Sequence, residues 1–116
     1  MTPAVIESPA LVDVLLTYGY ALMLDSAYGE CREVLDRALR ILTTHGGERS
    51  EDTIQVREHL GLLCYYEEKF PEAEAHFKTV HDILLEAGRD RDDDDVRRSL
   101  ENVATATCRT GPRTWE

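Results

Sequence analysis

The chain has 116 residues, of which 42% are hydrophobic and 31% charged, so it is large enough and apolar enough to bury one core. Its 13 Lys and Arg residues against 23 Asp and Glu residues give a formal net charge of −10. Because duplexes and anionic bilayers are bound through clustered Lys and Arg, we expect neither nucleic acid nor a membrane as a partner. No stretch reaches the roughly 20 apolar residues of a membrane span, and no secretory leader pattern is visible, which favours a soluble, cytoplasmic protein.

The first half of the chain predicts two helices joined by a short turn. Ser8-Pro9 is a typical helix start, and apolar residues at helical spacing extend the first helix to about residue 24. A turn at residues 25–27 leads to a second helix over about 28–44, which Gly46-Gly47 end because glycine adopts the left-handed conformation at low cost.

The second half predicts three more helices. Asp52 is expected to cap a third helix that extends to about residue 67, and Pro71 opens a fourth that Gly88 ends. A fifth helix spans about 94–109, before Gly111-Pro112. Since no stretch alternates apolar and polar residues as a half-buried strand would, the predicted fold class is all-α.

The same arrangement of small and large side chains occurs twice, 42 residues apart. The first and third helices each carry a glycine in mid-helix, at Gly19 and Gly61, where it costs about 1 kcal/mol relative to alanine. We therefore predict that another helix crosses close to each glycine. The second and fourth helices repeat the offsets 4, 3 and 4, in Cys31, Leu35, Ala38 and Leu42 and in Ala73, Phe77, Val80 and Leu84.

These positions resemble the tetratricopeptide repeat family. The second repeat matches in Leu60-Gly61, Ala73, Phe77, Val80 and the turn before Ala73, and the first matches in Tyr18-Gly19, Cys31, Leu35 and Ala38. The family's usual unit is 34 residues, and the 42-residue unit is similar to the kinesin light chain subtype. The family's usual Trp in the first helix of each repeat is absent.

The resemblance implies a right-handed α-solenoid of antiparallel helix hairpins with about two and a half repeats. We predict one domain over residues 1–116, with repeat one at about 9–45, repeat two at about 52–88 and a partial third repeat at about 94–116. A partial repeat leaves one face of the fifth helix uncovered. The expectation is therefore either a homo-oligomer that forms through this face or a piece of a longer solenoid.

The resemblance also implies a scaffold that binds a peptide or helix of a partner protein in a concave groove. Tyr, Met and Arg are residue types that favour binding hot spots. We expect a partner with apolar anchors and some positive charge. An alternative interpretation assigns three leucines of these helices to the core: Leu16, Leu24 and Leu62. The predicted groove residues are Asp13, Leu16, Tyr20, Met23, Gln55, Glu58, Tyr65, Tyr66, Arg98, Glu101, Asn102 and Arg109.

Two other functions stay open from the sequence: a sensor of a small ligand or signal peptide that uses the same groove, and an assembly element. No nucleophile–base motif, phosphate loop or paired catalytic carboxylate appears, so we expect no enzyme activity and no cofactor.

No metal site is expected either. Asp90, Asp92, Asp94 and Glu101 have the spacing of a calcium loop, but Asp95 stands where that loop needs Gly. A solvated turn with Asp94 or Asp95 capping the fifth helix is the preferred interpretation.

Overall fold

The structure is a computed structural model that describes residues 11–45, 51–88 and 93–110. These residues form five α helices and contain no strand, which confirms the all-α fold class. The predicted start at Ser8-Pro9 and the predicted stops at Gly46-Gly47 and Gly111-Pro112 lie outside the described residues. The helices are α1 (Leu11–Leu24), α2 (Tyr28–Thr44), α3 (Glu51–Tyr66), α4 (Phe70–Glu86) and α5 (Asp94–Thr110).

The 42-residue repeat is present in the backbone itself. Helices α2 and α4 both have 17 residues, and they begin 42 residues apart. The turns before them are alike, because Ser26 and Glu68 both adopt the left-handed conformation, with φ of 62° and 65°. In each turn the next amide donates a hydrogen bond of 2.8 Å to a carbonyl five residues back in the preceding helix. The two helix hairpins are thus copies of one local structure.

The chain divides into two compact units, residues 1–59 and residues 60–116, with the boundary inside α3. In the first unit α1 packs on α2. A Cβ atom built on Gly19 would lie 3.0 Å from the Leu35 Cδ2 atom, so the glycine allows the two helices to approach closely. Their core side chains are Val12, Leu15, Leu16, Met23, Cys31, Leu35, Ala38, Ile41 and Leu42.

In the second unit α4 packs against the end of α3 and against α5. A Cβ atom on Gly61 would lie 2.5 Å from the Phe77 ring, so the same close approach occurs here with a larger neighbour. The core cluster contains Cys64, Ala73, Phe77 and Ala106, with Leu62, Tyr65 and Val103 packed against it.

A polar contact also joins α4 to α5. The Ser99 hydroxyl, which is buried, donates to the Val96 carbonyl at 2.7 Å and lies 2.8 Å from His81 Nδ1. Because the hydroxyl proton is already used, the His81 Nδ1–H group donates to Ser99. This hydrogen bond places His81 at the α4–α5 contact.

The predicted ends of α4 agree with the structure, but the predicted cap of α3 does not. Pro71 lies in the first turn of α4, and Gly88 follows the end of that helix with φ of 82°. Asp52 was expected to precede α3. It lies inside the first turn instead, since the helix begins at Glu51.

The cap of α5 also differs from the prediction. The Asp95 amide donates to Asp93 Oδ1 at 2.8 Å, so Asp93 is the capping residue. Asp94 and Asp95 already belong to the helix, where they pair with Arg97 at 2.8 Å and with Arg98 at 3.1 Å. In a run of aspartates every member can cap, and the burial of Val96 and Ser99 decides where the helix starts.

Asp93→Ala should lower the free energy of unfolding by about 0.5–2 kcal/mol, because α5 loses its capping hydrogen bond. Asp94→Ala is the matched control. It removes only an exposed ion pair, which is worth about 0–1 kcal/mol. Urea unfolding of both variants measures the difference, and equal losses would contradict the assignment of the cap to Asp93.

Candidate functional site

The predicted groove residues lie on α1, α3 and α5, the first helices of the repeats, here called the A helices. Most of them are exposed or half-buried, as a binding surface requires. Asp13, Tyr20, Gln55, Tyr66, Arg98, Glu101 and Arg109 are exposed, and Glu58, Tyr65 and Asn102 are half-buried.

Leu16 and Met23 do not belong to this surface. Their side chains are only 6% and 3% exposed, so both are core residues, which corrects the expectation that they line the groove. The reason is the helical spacing. Leu16 and Met23 share a stripe with Val12 and Gly19, and Gly19 is the residue that faces Leu35 of α2. Of the other two leucines, Leu62 packs against the core cluster of the second unit, and Leu24 is exposed.

In the first unit Tyr20 forms an aromatic pair with His59. The ring centroids are 5.6 Å apart and the rings are nearly perpendicular, at 78°. The His59 Nδ1–H group donates to the Gln55 carbonyl at 2.7 Å, which fixes the imidazole ring. His59 was not among the predicted residues. His59 follows Gln55 by four residues and so lies on the same helix face, and this spacing is the sequence signal that could have identified it.

In the second unit four residues form a second cluster, here called the Tyr65 cluster: Tyr65, Tyr66, Phe70 and Arg109. The Tyr65 ring meets the Phe70 ring at 5.2 Å and the Tyr66 ring at 6.3 Å, both edge to face. The Arg109 guanidinium lies 4.8 Å from the Phe70 centroid and 5.7 Å from the Tyr65 centroid. Arg109 Nη1 also donates to the Tyr65 hydroxyl at 3.3 Å.

The Tyr65 cluster joins residues that are far apart in sequence. Each cation–π contact at an exposed site is worth about 0.5–1 kcal/mol, so the aromatic rings hold the long Arg109 side chain in place. Phe70 was missing from the predicted site. The signal for it was the match between Tyr28 and Phe70 in the 42-residue repeat, which places an aromatic ring at the start of both α2 and α4.

The other predicted residues of α5 lie along one side of that helix. Arg98 pairs with Asp95 of its own helix, and Thr107 on the neighbouring side donates to Glu74 of α4 at 2.8 Å. The structure therefore brings Tyr65, Tyr66 and Arg109 together, whereas Tyr20 and His59 belong to the other unit.

Within residues 11–45, 51–88 and 93–110, no group of three or more His, Cys, Asp or Glu side chains is placed to hold a metal ion. Asp90 and Asp92 of the calcium-like pattern lie outside the described residues. Of the three cysteines, Cys31 and Cys64 are buried and Cys108 is exposed. In the part of the chain that the structure describes, no helix has the length and hydropathy needed to span a bilayer.

Two copies of one helix hairpin, each with a glycine that faces a large side chain of the next helix, define a helical repeat protein. The family model described as Tetratricopeptide repeat matches residues 11–86, so the chain belongs to the tetratricopeptide repeat family. A comparison with curated proteins found no match. The repeats of this family are non-catalytic and in general mediate protein–protein interactions. The kinesin light chain-like subtype stays a prediction.

Proposed function

We propose that the chain is a scaffold that binds a peptide or helix of a partner protein with the exposed side chains of its A helices. The observation that carries this proposal is the Tyr65 cluster, in which an exposed arginine is held on two aromatic rings next to Tyr66, itself 51% exposed. Tyr and Arg are the residue types most enriched at interface hot spots, together with Trp.

The geometry of the cluster lowers the cost of binding. Immobilising a flexible side chain on association costs about 0.5–1.5 kcal/mol. Arg109 has already lost much of this freedom through its contacts with Tyr65 and Phe70. The exposed guanidinium has further N–H donors for carbonyl or carboxylate groups of a partner, and the Tyr66 ring offers apolar area.

The net charge of the chain indicates which sign of charge favours a partner. A net charge of −10 speeds association with a partner that carries Lys or Arg and disfavours an acidic one. Tyr20 and His59 give the first unit a second aromatic contact of the same kind. The proposed partner segment therefore has apolar anchors and some positive charge.

The double substitution of Tyr65 and Tyr66 by alanine should abolish partner capture, because two candidate hot-spot residues are lost. We expect at least about 30-fold weaker binding, the equivalent of 2 kcal/mol or more. Wild type and variant serve as baits in native cell extract, and mass spectrometry identifies proteins that only the wild type retains. Calorimetry with the purified partner then measures the loss.

Two controls make the result specific. Lys78→Ala changes an exposed side chain of α4 outside both aromatic clusters and should leave the affinity unchanged. Circular dichroism must show that the double variant stays helical, since Tyr65 is half-buried against the core cluster. If the folded double variant retains the same proteins with the same affinity, the Tyr65 cluster is not the binding surface.

A further inference from the structure

A second apolar surface lies on α1, on the side away from Gly19. It consists of Val14, Tyr18 and Ala21, here called the α1 outer face. Val14 is 60% exposed, Tyr18 is 51% exposed, and Ala21 is also exposed. With Asp13 and Thr17 these residues line an open depression of about 540 Å³.

The repeat shows that this face is covered in the other A helices. A shift of 42 residues places Val14, Tyr18 and Ala21 at Val56, Leu60 and Leu63 of α3, all of which are at most 1% exposed. A further shift of 43 residues reaches Ser99, Val103 and Ala106 of α5, of which two are buried and Val103 is half-buried. Among the three described A helices, α1 alone has this face open.

The second unit shows what kind of element covers such a face. There the element is an α helix, α4, which precedes α5 in the chain. His81 of α4 contacts Ser99, and Phe77 belongs to the same core cluster as Ala106. A helix is therefore the element whose shape fits the equivalent surface of α1.

The side chains of α1 indicate the chemistry of a helix that would fit this face. Val14 of α1 occupies the position that Ser99 has in α5. Ser99 is paired with the polar His81 of α4, whereas Val14 requires an apolar side chain opposite it. The only charged residue of α1 is Asp13, which is exposed at the edge of the face. An apolar stripe flanked by Lys or Arg complements both the α1 outer face and the net charge of −10.

Residues 1–10 contain no Lys or Arg, so they do not provide the basic flank of such a helix. A second copy would bring together two chains of net charge −10 with no basic residue on either α1. We propose that the α1 outer face binds a basic amphipathic helix of a partner protein, at a site distinct from the Tyr65 cluster.

The probe for this proposal is a synthetic 17-residue peptide based on α2, Tyr28–Thr44, because α2 has Leu39 where α4 has His81. In the peptide Cys31 is replaced by alanine, and the three acidic residues Glu30, Glu33 and Asp36 are replaced by glutamine. Its three arginines then make it a basic helix. Calorimetric titration of the full chain should show saturable binding. We expect Tyr18→Ser to weaken it about tenfold. The control Leu100→Ser changes a side chain of α5 that is similarly exposed, at 54%, and should leave binding unchanged because Leu100 lies outside this face.

A second peptide tests the charge. Replacing its three arginines by glutamines keeps the helix propensity but should weaken binding severalfold and remove its dependence on salt. Equal binding of both peptides would overturn the assignment of a basic partner. No saturable binding, or binding that Tyr18→Ser leaves intact, would overturn the site.

Two further measurements test whether the α1 outer face is occupied by a second copy of the chain or by the chain's own first residues. Light scattering that finds a dimer, lost on Tyr18→Ser, would replace the partner helix by a second copy. Deletion of residues 2–10 that raises peptide affinity more than tenfold would show that the chain's own first residues compete for the face. Either result would overturn the proposal, and neither affects the separate test of Tyr65 and Tyr66.

Discussion

Gly61→Ala is expected to lower the free energy of unfolding by about 1–3 kcal/mol, although alanine is the better helix former by about 1 kcal/mol. The added Cβ atom would lie 2.5 Å from Phe77 Cε1 and 2.8 Å from Cδ1 and Cζ. Phe77 is only 3% exposed, and its rigid ring packs against Ala73 and Ala106. The ring has no space to move away without disturbing the core of the second unit.

The equivalent glycine of the first repeat provides a matched control. A Cβ atom on Gly19 would lie 3.0 Å from the end of the Leu35 side chain, which a small rotation can relieve. The gain in helix propensity offsets that cost, so Gly19→Ala is expected to stay within about 1 kcal/mol of wild type. The same substitution at the same repeat position should therefore have clearly different effects in the two copies.

A double variant tests whether Phe77 is the cause. Phe77→Leu gives the second repeat the leucine that the first repeat has at Leu35. If the ring is responsible, Gly61→Ala should cost less in the Phe77→Leu background than in the wild type, and the two changes should not be additive. Urea unfolding of the four proteins measures this coupling. Additive losses, or equal stability of Gly19→Ala and Gly61→Ala, would contradict the explanation.

The sequence predicted the repeat well because its signals are local. The offsets of small and large residues, the two mid-helix glycines and the turn before each B helix (α2 and α4) all depend on neighbours within one hairpin. Leu16 and Met23 were misplaced because one helix has two sides that both follow helical spacing, and only the position of α2 decides which side is covered. The cap of α5 was misplaced because adjacent aspartates are equivalent as local signals.

The candidate site was less predictable. Tyr65, Tyr66 and Arg109 were identified separately by their places in the repeat, but their contact depends on α5 packing beside the turn between α3 and α4. Phe70, which completes the cluster, lies outside the A helices that the family resemblance pointed to. No spacing in the sequence joins residues 39 positions apart, so the cluster needed the structure.

The second prediction of large effect is Leu60→Ala, a substitution at the position of α3 that corresponds to Tyr18 of the α1 outer face. Leu60 is fully buried, and its truncation should cost about 2–5 kcal/mol, since the lost side chain leaves a cavity. Tyr18→Ala, at the same position of the first repeat, should cost no more than about 1.5 kcal/mol, because half of that side chain already contacts water.

A second pair of variants compares the same residue type, valine, in the two repeats. Val56→Ala deletes the same two methyl groups as Val14→Ala, yet Val56 is fully buried and Val14 is largely exposed. We expect about 1–3 kcal/mol for Val56→Ala and less than about 0.5 kcal/mol for Val14→Ala, measured by urea unfolding. Equal costs in the two repeats would mean that the α1 outer face is covered in solution by the chain itself. Small costs at Val14 and Tyr18 combined with loss of peptide binding would show that these side chains serve association and contribute little to folding.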